Sequence, residues 1–497
     1  MAALALQEYR GQLTLELVPG QRVGPFILGA PVGHLVQLLQ TAPRLVPKVD
    51  FKYAAEEPLA TDWVLGLTHA LPPSPPPSAT SPAVTTGPDS YVEAETECPV
   101  APHSAASSSS LSVSSAGSTA GPGGVSLLLD PVTQRLKLVV IHDLARLRLT
   151  YRGMECQSTK TVATGLLINR LFGPTHPGHF DAATGTFTLT YPGITFAFAI
   201  PERHRTQFAR GGANLPLEFP DGTTPPCSTV YVYHGTDWRE AAPPAPLIYT
   251  GQYRAMTGVS PLTFLTRCNA TPGRGATLVL TDVGAGTRAA EGVERRVQLT
   301  LHATTAQDLV ADLGQPQSVF TKHDDKMSIH APAAEPAANP SPSTSSPASD
   351  GETDATTTVP PPTEQVGPDE EPSPLARDYF FNYYELGLDV LLDGASHLCK
   401  KVVLHANVPG HYDFGRYRKC PYRLFSREDV CGTAGVFDVD TKWTALHEVF
   451  NRDAAPPVVF NRGPSEQNPF GSTLFYGGAG VIFEVMRNDC VATVTIF

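Results

Sequence analysis

Apolar positions along the chain follow two alternating rhythms. Four stretches place apolar residues at helical spacing and soon meet a proline. FILGAPVGHLVQLLQTAP carries Leu35, Val36, Leu38 and Leu39, and TVATGLLINRLFGP carries Leu167, Ile168, Leu171 and Phe172. TTAQDLVADLGQP carries Leu309, Val310 and Leu313, and DTKWTALHEVFNRDAAPP carries Trp443, Leu446, Val449 and Phe450. In the third, Thr304 with Gln307 fits a capping box, Gly314 suits a left-handed helix end and Pro316 blocks continuation.

After each predicted helix the rhythm turns strand-like. GGVSLLLD (123–130) leads to RLKLVVIHD (135–143), and PGITFAFAI (192–200) leads, after a longer loop, to STVYVYHG (228–235). LGLDVLLD (386–393) leads to CKKVVLHAN (399–407), and GAGVIFEVM (478–486) leads to CVATVTIF (490–497). These segments are rich in β-branched and aromatic residues and are parted by turn residues. The repeated unit is a helix followed by an antiparallel meander of a few strands. One such unit is too small to bury its own sheet face, so the units should pack together. The expected fold is α+β: four related helix-plus-meander modules, at 13–150, 151–245, 246–415 and 416–497.

Composition alters this picture in two places. Residues 72–124 and 331–376 are rich in Pro, Ser, Thr and Ala and cannot bury enough apolar surface to offset their ordering entropy. They are expected to be disordered inserts in modules one and three, with many Ser and Thr open to phosphorylation. They also hold the charge imbalance. The chain carries a net charge of −12; Asp89, Glu93, Glu95 and Glu97 lie in the first insert without Lys or Arg. The second insert holds Glu335, Asp350, Glu352, Asp354, Glu364, Asp369, Glu370 and Glu371, again without Lys or Arg. The remainder is neutral, which argues against nucleic acid as a main ligand and leaves membrane attraction to local patches.

The eight cysteines include no C-x-x-C pair, and no apolar run is long enough to span a bilayer. The expectation is a soluble intracellular chain with reduced thiols and no cofactor or metal.

Candidate chemistry is sparse. In FGPTHPGHF, His176 and His179 stand three apart, but Pro177-Gly178 between them excludes a helical ligand pair. VPGHYDF (408–414) echoes HPGHFDA (176–182), which suits a turn better than a metal site. No G-x-S-x-G, Walker or G-x-G-x-x-G sequence nominates a nucleophile or phosphate loop. Two basic groups stand out. Arg146, Arg148 and Arg152 alternate with apolar residues, as on one face of a strand, and Arg416, Arg418 and Lys419 interleave with Tyr417. These six are the candidate lipid- or partner-binding residues, because arginine grips phosphate bidentately. The competing reading is a solvated, salt-bridged surface. Trp443 and Leu446 form a W-x-x-L spacing behind acids, but on a predicted helix they read as core.

Several phrases carry a resemblance: FGPTHPGHFD, DDKMSIHAP, DYFFNYYELGLDVLLD, KKVVLHANVPGHYDF and NPFGSTLFY with VIFEVM. In order and length they resemble the phagophore assembly factor family, formerly an uncharacterised family likened to lin-10. The resemblance runs from about residue 13 to 497, skips both inserts and weakens over about 202–295. It implies a non-enzymatic autophagy factor that pairs with a β-propeller protein of the breast-carcinoma-amplified-sequence type. The pair would be recruited to phagophore membranes through phosphoinositides, with the propeller as lipid reader. The resemblance brings no catalytic residues. The rivals are a stand-alone phosphoinositide-binding module and a metal-dependent hydrolase centred on His176 and His179.

Overall fold

The computed structural model describes residues 6–9, 12–68, 111–115, 124–142, 144–173, 178–209, 218–219, 221–244, 263–282, 293–322, 377–426, 435–450, 456–461, 471–478 and 480–497. The chain is mixed but sheet-rich, and its four sheets fit a repeated module. All four expected helices form: α1 at Val32–Gln40, α2 at Gly165–Phe172, and, after an unforeseen α3 at Glu202–Ala209, α4 at Ala306–Leu313 and α5 at Trp443–Phe450. The capping box of α4 lies one residue beyond its expected place. Thr305 and Asp308 exchange the capping bonds, while the Thr304 hydroxyl accepts from the Thr300 amide. Gly314 ends the helix at φ +84°, where a side chain would be strained.

Two large sheets dominate. The first runs from His179–Asp181 at one edge, through Thr186–Tyr191, Ile194–Ala199 and Cys227–Tyr233, to Arg135–Ile141. It continues through Val125–Asp130 and Trp63–Thr68 to Lys48–Tyr53. The second repeats that order: Val458–Asn461, Ser472–Gly478, Val481–Val485 and Val491–Ile496 meet Cys399–His405. Leu388–Leu392, Tyr379–Tyr383 and Ser318–Thr321 complete it. In each half, two runs of antiparallel strands therefore join through their last strands, Val139 opposite Val232 in one and Leu404 opposite Val494 in the other.

Each half also has a smaller sheet, and here parallel pairing appears that the hairpin pattern did not foretell. Gln12–Val18 runs parallel to Leu147–Tyr151, and Thr263–Thr271 runs parallel to Tyr422–Ser426. Leucines at alternate positions, Leu13, Leu15 and Leu17 with Leu147 and Leu149, face one core with the inner face of the large sheet and with α1 and α2. A matching core, with Leu278, Leu280, Leu309, Leu388, Val402 and Phe483, fills the other half.

A recurrent tie sets each helix on its sheet. The first helical N–H donates to the carbonyl of a residue at positive φ in the last hairpin turn. Val32 donates to Gln134 (3.0 Å), Ala306 to His397 (3.0 Å) and Trp443 to Asp489 (2.9 Å). In the remaining unit Thr164 bridges Pro226 instead. The bond satisfies one of the amides that every helix start leaves without an intrahelical partner.

The insert expected at 72–124 lies outside the described residues except for Gly124 and one segment that corrects the expectation. Leu111–Ser115 forms a strand, parallel to Lys48–Tyr53, and becomes the outermost strand of the first large sheet. The insert at 331–376 lies wholly outside the described residues.

Candidate binding site between the halves

The segment 406–419 joins the two halves. Gln134 donates through its side chain to the carbonyls of Ala406 (3.1 Å) and Asn407 (3.0 Å), and Asn407 donates back to Gln134 Oε1 at 2.6 Å. Phe414 crosses over and stacks on Phe51 at 5.1 Å, edge-on to Trp63 at 5.6 Å. His411 anchors the same segment to its own sheet, its Nε2 lying 3.1 Å from buried Glu484, which also accepts from Thr473 and Thr493. Gly33 comes so close to this segment that a Cβ there would stand 2.5 Å from the Gly415 carbonyl oxygen. Helix α1 is thereby held with its start against residues 415–419.

Between these elements is a cavity of about 500 Å³. Its walls come from both halves: the start of α1 and the 132–135 turn on one side, and residues 384–386, 416–421 and 439–440 on the other. Of the expected site residues, Arg416, Arg418 and Lys419 line it. Arg416 donates to the Tyr384 hydroxyl at 2.8 Å, lies over that ring at 4.9 Å and faces Asp413 at 3.6 Å. Arg418 Nε is 2.8 Å from Glu385. Lys419 binds Asp440 at 2.6 Å and the Val132 carbonyl at 2.8 Å, so it ties the halves together.

Tyr417 faces inward. Its hydroxyl donates to Asp389 at 2.9 Å and its ring stacks on His405, whose Nε2 meets the same carboxylate. Burial and the Asp389 carboxylate push the Tyr417 phenol far above its ordinary range. Across the cavity, burial lowers the pKa of His34, opposed by Glu385.

The other basic group does not form the expected face. Arg146 ends a 3₁₀ turn, Leu144–Arg146, and Arg152 sits in the next turn at φ +50°. Only Arg148 lies on the strand Leu147–Tyr151, bound to Glu155 at 3.2 Å and stacked over Tyr9 at 4.5 Å. Alternation held for Leu147 and Leu149, which are buried, but the strand is too short to carry all three arginines. None of the three lines the cavity.

His179 lies on an exposed edge strand, and His176 lies outside the described residues. The echoed phrases occupy different places in the two halves: HFD forms that edge strand, whereas 408–414 follows a central strand. Among the described residues no group of three or more His, Cys, Asp or Glu could hold a metal ion. Trp443 and Leu446 are buried, with Trp443 stacked on Tyr476 at 4.4 Å.

With this arrangement established, comparison with known proteins is informative. A family model described as "Phagosome assembly factor 1" matches residues 119–345 and 366–497. The chain belongs to the phagosome assembly factor 1 family. A PHAF1 protein of Arabidopsis thaliana is 29% identical over 494 residues, covering 98% of this chain and 93% of its own length. One of Drosophila melanogaster is 31% identical over 393 residues, covering 75% of this chain and 80% of its own. One of Caenorhabditis elegans is 25% identical over 483 residues, covering 95% and 90%. No solved structure matches significantly. Among the described residues of this phagosome assembly factor 1 family member, no helix is long and apolar enough to cross a membrane.

Sequence reasoning missed His34, Arg135, Tyr384, Glu385 and Asp440, which complete the cavity. One signal was present: α1 begins with Pro31, which offers no side-chain cap, where a serine, threonine or aspartate is usual.

Proposed function

We propose that the chain is a non-enzymatic autophagy scaffold that pairs with a β-propeller protein, with the pair recruited to phagophore membranes through phosphoinositides. Membership of a family named for phagosome assembly supports the general role. The observation that carries the scaffold reading is an exposed apolar sheet edge. Val319 and Phe320, neighbours on the edge strand Ser318–Thr321, are each 56% exposed. Successive strand residues point to opposite faces, so both faces of this edge offer apolar surface. Edge strands are normally blunted by charge, proline or a covering element, and an apolar one marks a place for another protein.

The four units act as a rigid frame that presents this edge, and Arg146, Arg148, Arg152, Arg416, Arg418 and Lys419 supply charge for partner or headgroup contacts. Strand addition would give the partner main-chain hydrogen bonds, with Val319 and Phe320 giving side-chain specificity. The test is affinity capture of the full chain from its own cells, with flotation of the purified chain on phosphoinositide vesicles beside it. Near-stoichiometric recovery of a β-propeller protein, with weak flotation of the chain alone, is the expected result. Strong flotation of the chain alone without any propeller partner would replace the scaffold with a direct lipid reader.

A further inference from the structure

We propose that the cavity between the halves binds a phosphate monoester with an apolar or aromatic body. The inference gives Arg416, Arg418 and Lys419 of the scaffold reading a defined ligand but does not use the apolar edge, so phenyl phosphate binding and partner capture can fail separately. The cavity's volume of about 500 Å³ lies inside the range of about 300–1,000 Å³ usual for small-molecule sites.

Charge selects the ligand. Arg135, Arg416, Arg418 and Lys419 line the cavity against two carboxylates, Glu385 and Asp440. Asp413, which faces Arg416 from outside the lining, leaves an excess of one positive charge, which attracts a phosphate monoester carrying about −1.5 to −2 near pH 7. The cations are also held in place. Arg135 Nε donates to the Gly29 carbonyl at 2.8 Å, and Arg416, Arg418 and Lys419 have the wall contacts given above. Arg418 Nε lies 2.8 Å from a Glu385 oxygen, and its guanidinium N–H groups border the cavity. These are donors of the kind that grip phosphate in a fork. The start of α1 adds to this. Val32, Gly33 and His34 line the cavity beside Arg135, and no side chain caps that helix end, so its positive dipole end adds to the field.

The remaining lining selects the body. Tyr384, Leu265, Leu386 and Val439 make much of the rest apolar, which suits an aromatic or acyl-linked ester better than a polyol. Such a phosphate could come from a soluble metabolite or from the headgroup of a lipid such as a phosphatidate.

The experiment is calorimetric titration of the full chain with phenyl phosphate, alongside flotation on phosphatidylcholine vesicles doped with phosphatidate. Arg416→Gln and Arg418→Gln serve as variants. Both side chains are partly exposed, at 57% and 25%, so the fold should survive, and an unchanged melting temperature will verify it. Saturable phenyl phosphate binding that weakens about tenfold or more in both variants is expected, because a charge-assisted bond contributes about 1.5–3 kcal/mol. Vesicle binding lost in the same variants would assign the phosphate to a lipid, and its absence beside phenyl phosphate binding would assign it to a soluble ester. Binding of either probe that survives both substitutions, or no binding of either, overturns the proposal.

Discussion

The two large sheets share one strand order but end differently. In the first, the strand Lys48–Tyr53 is covered on its outer side by Leu111–Ser115, and Val49, Phe51 and Tyr53 are buried. In the second, the corresponding strand Ser318–Thr321 has no outer partner among the described residues, and Val319 and Phe320 are open. Topology is therefore not what decides whether an edge is closed. The side chains on one short strand and the availability of a covering segment decide it. The closed edge contributes to the core, and the open edge leaves Val319 and Phe320 exposed.

The contrast can be broken most forcefully at its buried side. Phe51 is 4% exposed and packs against Tyr53, Trp63 and Phe414. Phe51→Ala should cost about 3–5 kcal/mol, seen as a large fall in melting temperature. Phe320→Ala, at the open edge, should stay within about 0.5 kcal/mol of the parent. Equal losses at both positions would mean that the second edge is also closed.

His411→Leu comes next. Glu484 stays buried and keeps the hydrogen bonds from Thr473 and Thr493, so the loss should fall toward the lower end of the about 3–5 kcal/mol typical of a broken buried pair. Denaturant unfolding measures it, and loosening of the Phe414 contact should make the two halves unfold with separate midpoints.

A smaller effect compares helix starts. The Thr305–Asp308 box closes α4, so Thr305→Ala should cost about 1 kcal/mol, read by the same unfolding curves. Smallest is an acid effect. Asp221 is held down at about 2 by the Thr223 hydroxyl and amide, His204 and Arg203. Asp393 is depressed by Lys400 and Ser396. Because folded carboxylates with lowered pKa bind protons less readily than unfolded ones, their contribution is present above the ordinary carboxylate value. It is lost as pH falls through the folded value. Carboxyl NMR titration should place the Asp221 midpoint near 2, and a midpoint near 4 would remove the bonds described.

The elements that were legible in the sequence are those set by local pattern. Leu35 and Leu39, Ile168, Leu309, and Trp443 and Leu446 are buried on four helices, as helical spacing required. The final hairpins also lie where alternation put them. What stayed hidden depends on residues far apart. The parallel pairing of Leu15 with Leu149 joins segments more than a hundred residues distant, and nothing in either strand specifies its partner. The cavity is of the same kind: RYRKC marked three of its cations, but their carboxylates and the start of α1 come from elsewhere in the chain. The error at Arg146 and Arg152 was one of length, since a five-residue strand cannot hold alternation across seven positions.

The central claim is that the open edge of the second sheet receives a β-propeller partner. Capture from cells with the parent chain, the double variant Val319→Lys with Phe320→Lys, and the exposed control Val162→Lys tests it directly. The propeller should be recovered with the parent and the control and lost with the double variant at unchanged melting temperature. Full recovery with the double variant would contradict the claim.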